Sequence, residues 1–217
     1  MGDVRATFLD TGRLAADLLA RPEVAARWDE PSALAEFSVR GLAGHLVRAA
    51  GSTEAYLDRD EPSDADVIDA PAYYRAAVGD DASVDLGAGL HVAIRQRGED
   101  AAAAGPAALH ADMVGLLDRL TLRLAAEPPT RRMRVYQDLV LLLDDYLVTR
   151  LIELAVHLDD LAVSVGLDPP VLSAGAGDLA IRTLVDVARL RQGDVAVLRA
   201  LTRRERTSAA HPVFPVL

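Results

Sequence analysis

The chain has 217 residues, 51% hydrophobic and 26% charged, a balance that predicts a folded protein with a full hydrophobic core rather than a disordered one. Its 33 acidic against 23 basic residues give a net charge of -10, which repels phosphate backbones and anionic membrane surfaces and argues against nucleic acid or lipid partners. Cys and Lys are absent, which excludes disulfides, thiolate metal sites, a protein-borne thiol nucleophile, Schiff-base catalysis and the phosphate-binding lysine of P-loop enzymes.

No apolar run reaches the about 18 uncharged residues of a membrane span, and the N-terminal MGDVRATFLDTGR lacks the layout of a signal peptide, so a cytoplasmic location is expected. Phe8, Leu14, Leu18 and Leu19 form an apolar stripe at helical spacing, predicting a first helix over residues 3–20 that Pro22 interrupts. Trp28-Asp29-Glu30-Pro31-Ser32 carries turn chemistry. Ser38 is then placed to cap a second helix, with Val39, Leu42, Leu46 and Val47 as apolar positions, running to Leu57. From Asp58 to Asp85 the chain is acidic and turn-rich and reads as a long surface loop with one helical turn around Tyr73-Tyr74.

A third helix fits Leu86 to Ala104, ended by Gly105-Pro106. A fourth fits Ala107 to Glu127, where Leu109, Met113, Leu116, Leu117, Leu120 and Leu124 recur at three and four before Pro128-Pro129 stops them. Arg131, Arg132 and Arg134 read as a solvated connector, and Arg203, Arg204 and Arg206 as a solvent face. Leu139 to Leu143 reads as a short extended segment. Asp144 or Asp145 is placed to cap a fifth helix, Asp145 to Val165, closed by Gly166 with Pro169-Pro170 beyond. Gly177 to Arg206 reads as one or two further helices broken near Gly193. The fold class expected is all-α: a helical bundle over residues 1–167 and a helical C-terminal extension over 168–217 packed on it.

The fifth helix carries the chemistry. At 100° per residue, Tyr146, Arg150, Glu153, Asp160 and Ser164 fall within about 60° of His157. Leucines fill the adjoining arc, and Ile152, Val156 and Val163 lie on the far side, so the helix reads as buried with one polar stripe. Burying Glu and His costs several kcal/mol unless each is paired or bound to a metal. Glu153 and His157, four apart, can converge on one ion, and His45 on the second helix is the best third ligand, beside Gly41 and Gly44 that let another helix approach closely. The same spacing also suits a plain Glu-His pair and a satisfied core histidine. His91, His110 and His211 have no carboxylate or histidine at ligand spacing.

Residues 37–51, FSVRGLAGHLVRAAG, and 143–167, LDDYLVTRLIELAVHLDDLAVSVGL, resemble the two signature segments of the mycothiol-dependent maleylpyruvate isomerase N-terminal domain family. The resemblance implies a DinB-like four-helix bundle and a divalent metal, usually zinc, on His45, Glu153 and His157. The tail LVDVARLRQGDVAVLRALTRRER resembles that of uncharacterised members of the group and is too short for the separate C-terminal domain of the isomerase itself. With no Cys in the chain, a soluble thiol has to supply any sulfur, and the resemblance makes it mycothiol. A metal-bound thiolate would act on a small electrophile by isomerisation or thiol transfer. Arg150 is placed to hold a substrate carboxylate, or to pair with Glu153 or Asp160. Asp160 is the better candidate than Tyr146 for orienting a metal histidine. A non-catalytic metal- or ligand-binding bundle and a metal-dependent hydrolase are the alternatives.

Overall fold

Asp3 accepts hydrogen bonds from the amides of Arg5 and Ala6 and thereby starts α1 (Val4–Leu19), the first element of a computed structural model that describes residues 3–63, 65–78, 89–203, 205 and 213–214. Pro22 interrupts α1 as expected but also opens a short helix, α2 (Pro22–Ala26), because proline suits the first turn of a helix. Ser38 caps α3 (Val39–Leu57) by accepting from Gly41 N at 2.9 Å. The helical turn expected around Tyr73-Tyr74 is present and longer, as α4 (Ala70–Val78), begun by Asp69, whose carboxylate accepts from Ala72 N, and the segment before it, expected as loop, contains strand β1 (Val67–Ile68). After α5 (Gly89–Ala101), Gly105 at φ +92° turns the chain and Pro106 begins α6 (Pro106–Ala126). The expected helix start at Leu86 lies outside the described residues, as do Gly79–Asp85 of the expected loop and Arg204, Arg206 and His211.

Strands β2 (Arg132–Arg134) and β3 (Val140–Leu142) complete a small sheet of order β1-β3-β2, with β1 parallel and β2 antiparallel to β3. The arginine connector is therefore a strand. Arg131 is mostly buried and donates to the carbonyls of Leu57 and Arg59 while lying 3.6 Å from Glu61 and 3.7 Å from Glu127. Strand β3 leads directly into α7 (Leu143–Ser164), so Leu142 occupies the cap position and neither Asp144 nor Asp145 caps the helix. Asp144 instead accepts from Arg5 Nε at 2.8 Å, tying α7 to α1. Gly166, at φ +74°, ends α7: its N–H donates to Val163 O and that of Leu167 to Ala162 O, the paired bonds of a Schellman cap. α8 (Ala174–Gln192) and α9 (Asp194–Thr202) are divided at Gly193, whose φ of +80° favours glycine.

Helices α1, α3, α6 and α7 form a closed four-helix bundle, each packed against two of the others, around Phe8, Leu42, Leu46, Leu120, Leu147 and Leu154. α8 lies against α4, α7 and α1 and carries α9. The protein is thus all-α with a three-stranded patch. No helix among the described residues is long and apolar enough to cross a membrane. On the flank of the bundle α5 presses against α3, where a Cβ at Gly44 would collide with the Gly98 carbonyl and one at Gly98 with the Gly41 carbonyl. The two backbones meet because none of the three residues carries a side chain.

Candidate metal centre

Helix α7 presents Glu153, His157 and Asp160 on one side, since residues three and four apart share a helix face. The opposite side is less buried than its composition predicts: Val156 is 38% and Val163 53% exposed. The polar stripe therefore sits at the margin of the core rather than at its centre. From α3, His45 points at this stripe, and its ring meets that of His157 edge-on with centroids 4.7 Å apart. Phe37 covers the other side of His45 at 5.9 Å. The close packing of α5 on α3 holds the backbone from which His45 projects, with Gly98 set against the His45 amide.

Glu153 Oε2 lies 3.9 Å from His45 Nε2 and 3.6 Å from His157 Nε2, and one ligand atom from each of the three residues lies within 4.8 Å of the others. In a tetrahedral zinc site with bonds of about 2.1 Å, neighbouring ligand atoms are about 3.4 Å apart. The three side chains are therefore within a small rotamer adjustment of ligating one ion. They are the single potential metal cluster among the described residues. His157 Nδ1 donates to Asp160 Oδ2 at 3.0 Å, which directs Nε2 toward Glu153.

The electrostatics are those of a cation pocket. Burial pushes His45 down to about 4, reinforced by His157, so its imidazole is neutral at pH 7 and keeps a lone pair. Burial also works against a charged His157, but Asp160 and Glu153 outweigh it and raise His157 to about 9. Burial pushes Glu153 up, yet His157 and the positive charge of Arg150 hold the carboxylate down to about 2. A pocket that so favours a proton on His157 favours a metal cation between the same groups for the same reason, provided that proton leaves.

Arg150 makes no bond to a carboxylate among the described residues, so it pairs with neither Glu153 nor Asp160. Its guanidinium lies over the Tyr146 ring, 5.1 Å from the centroid, and its Nε donates to Thr149 Oγ1 at 3.1 Å. Tyr146 is buried, and its hydroxyl donates to Ser52 Oγ at 2.8 Å.

Two tyrosines on α4 join the site without having been singled out in the sequence. Tyr74 OH is shared between Thr149 O at 2.9 Å and Glu153 Oε1 at 3.4 Å. Burial raises the Tyr74 phenol well above its ordinary value, so it serves Glu153 as a donor and not as a charge. Tyr73 is also buried, and its phenol is pushed up by burial while Arg150 pulls it down. The available signal was local: Asp69 three residues before Ala72, with Pro71 between, is a helix start.

The sequence model of the family described as the mycothiol maleylpyruvate isomerase N-terminal domain matches residues 9–162, which contain all four bundle helices except the first residues of α1 and the last of α7. No curated protein and no solved structure gives a significant match.

Proposed function

Because the chain belongs to the mycothiol maleylpyruvate isomerase N-terminal domain family, we propose that it is a divalent-metal-dependent, mycothiol-linked cytoplasmic protein that isomerises a small electrophile or transfers a thiol to it. The observation that carries this reading is the convergence of His45, Glu153 and His157 from two bundle helices. Two imidazoles and a carboxylate suit zinc, and three protein ligands leave a fourth tetrahedral position for an outside molecule. A divalent ion held there supplies the Lewis acidity that lowers the pKa of a thiol or water in that position. The chain has no cysteine, so the sulfur comes from a soluble thiol, for which the family points to mycothiol.

The chain's own residues have separate tasks. Asp160 holds the Nδ1 proton of His157 and Tyr74 donates to Glu153, so both ligands are oriented before any ion arrives. Arg150, which makes no ion pair with a carboxylate among the described residues and is supported by the Tyr146 ring, holds an acidic group of the substrate through its planar guanidinium. The thiolate adds to one carbon of an activated double bond, whose π pair moves onto the activating group. Rotation about the resulting single bond and expulsion of the thiolate reform the double bond and give isomerisation, whereas return of the thiol's proton to the adjacent carbon keeps the carbon–sulfur bond and gives transfer.

Metal analysis of the purified protein, followed by thiol titration of its cobalt-substituted form, tests this reading. Mycothiol should produce a sulfur-to-cobalt charge-transfer band. If thiols leave the spectrum unchanged while substrate analogues perturb it, the metal-dependent hydrolase is the better reading. If neither does, the bundle binds its metal without catalysis.

A further inference from the structure

Helices α3 and α6 run parallel and are joined at their surface by two ion pairs. Glu54 accepts two bonds of 2.9 Å from Arg119, and Asp58 accepts one of 2.7 Å from Arg123. In each pair the acid is on α3 and the arginine lies 65 residues later on α6. A Cβ on Gly51 would touch Leu116, at the same offset. Carried about 9 Å along the axis from Glu54 toward the N-termini, this register brings Arg48 level with Asp112. A third rung with its charges reversed is therefore in place but open. Arg48 and Asp112 make no hydrogen bond or ion pair among the described residues, and each is otherwise felt only as a charge, Arg48 at His45 and Asp112 at Arg119.

A cavity of about 590 Å³ lies between the two helices, and both residues line it. It exists because the facing surfaces carry Gly51 and Ala55 on α3 and Ala111 and Gly115 on α6. Where α3 meets α5, glycines let the backbones touch, and an added Cβ at Gly44 or Gly98 would strike a carbonyl. Nothing closes in that way here. A Cβ at Gly51 would lie 3.6 Å from the Leu116 side chain and one at Gly115 3.5 Å from Arg119 Nη1, ordinary contacts with side chains. Glycine weakens a helix interior relative to alanine, and at these two positions no backbone approach requires it. The small residues keep space open between an unpaired guanidinium and an unpaired carboxylate.

A molecule that satisfies both walls carries an anion for the Arg48 fork and a cationic donor for Asp112. One with a single charge leaves the opposite wall unmatched. Arg59 also lines the cavity, its guanidinium 4.5 Å from the centroid of the Tyr56 ring, so a net negative ligand is preferred to a net positive one. We infer that this cavity is a binding site for a small zwitterion, a free amino acid or dipeptide, whose carboxylate sits on Arg48 and whose ammonium sits on Asp112. The bound zwitterion closes the third rung and ties α6 to α3. The site uses none of the three metal ligands and stands apart from the function proposed above.

A thermal-shift screen of the protein against the standard free L-amino acids and the Gly-X dipeptides, followed by calorimetry on the strongest, tests this. At least one should raise the melting temperature, and its N-acetyl and C-terminal amide forms should each bind about tenfold or more weakly, the loss that a charged hydrogen-bond partner carries. Arg48→Ala and Asp112→Ala change exposed helix positions to the best helix former and leave the fold intact. Arg48→Ala should no longer distinguish the acid from its amide, and Asp112→Ala should no longer distinguish the amine from its N-acetyl form. Absence of any shift across the screen, capped forms that bind as well as the parent, or variants that keep both discriminations overturns the inference.

Discussion

The 3.0 Å hydrogen bond from His157 Nδ1 to Asp160 decides which imidazole nitrogen remains for a metal. With Nδ1 committed, Nε2 faces Glu153 at 3.6 Å, and the carboxylate also raises the electron density on the ring. Asp160→Ala should therefore reduce metal affinity by about 10- to 100-fold, measured by competition with a chromophoric chelator. Unchanged affinity would show that other contacts orient the ring.

An ion held between α3 and α7 by His45, Glu153 and His157 would make metal occupancy part of the fold's stability. At a free metal concentration about 100 times Kd, binding adds about 2.7 kcal/mol, worth roughly 5–10 °C in Tm for a chain of this size. Chelation should lower the melting temperature by that amount, and His157→Ala should abolish the chelator's effect together with the bound ion. Identical melting curves with and without metal would mark an adventitious site.

Gly98 makes a third prediction, because its α-carbon faces the Gly41 carbonyl and the His45 amide across the α3–α5 contact. Gly98→Ala forces the two backbones apart and should cost about 1–3 kcal/mol in urea unfolding, with a loss of metal affinity as His45 shifts. Gly177→Ala in α8, where a Cβ meets nothing within 4 Å, should instead be neutral or stabilising by up to about 1 kcal/mol. A loss at Gly177 equal to that at Gly98 would contradict the steric account.

The parts of this site legible in the sequence are those written in local periodicity. Glu153 and His157 are four apart on a helix whose end Gly166 marks, and His45 sits beside the glycines that admit α5. Features that depend on distant partners left no such trace. Tyr74 serves Glu153 only because α4 docks on α7, and α4 lies in an acidic, turn-rich segment whose nine-residue helix is too short to show a strong period. The same holds for Arg131, which has the pattern of a solvated cluster but is held by carbonyls of the α3 end, acceptors with no sequence signature. At Asp144 a cap was legible and wrong: strand β3 runs straight into α7, and Arg5 from α1 claims the carboxylate.

Asp145, in the first turn of α7, supplies the pH prediction. It is half-buried, and burial, followed by the charges of Asp69 and Asp144, raises its pKa above the ordinary aspartate value. A carboxyl with a folded-state pKa above its unfolded one binds the proton more tightly when folded, so stability falls as pH rises between the two values. Below the unfolded pKa both states are protonated and the residue costs nothing; above the folded pKa the full cost is present. Asp145→Asn should therefore raise the urea midpoint at neutral pH and lose that advantage as pH falls below about 4, where wild type and variant converge. The gain is limited by the helix N-terminus, which favours negative charge in the first turn and partly offsets the repulsion. An advantage of equal size at acidic and neutral pH would assign the effect to packing of the amide and not to the titration of Asp145.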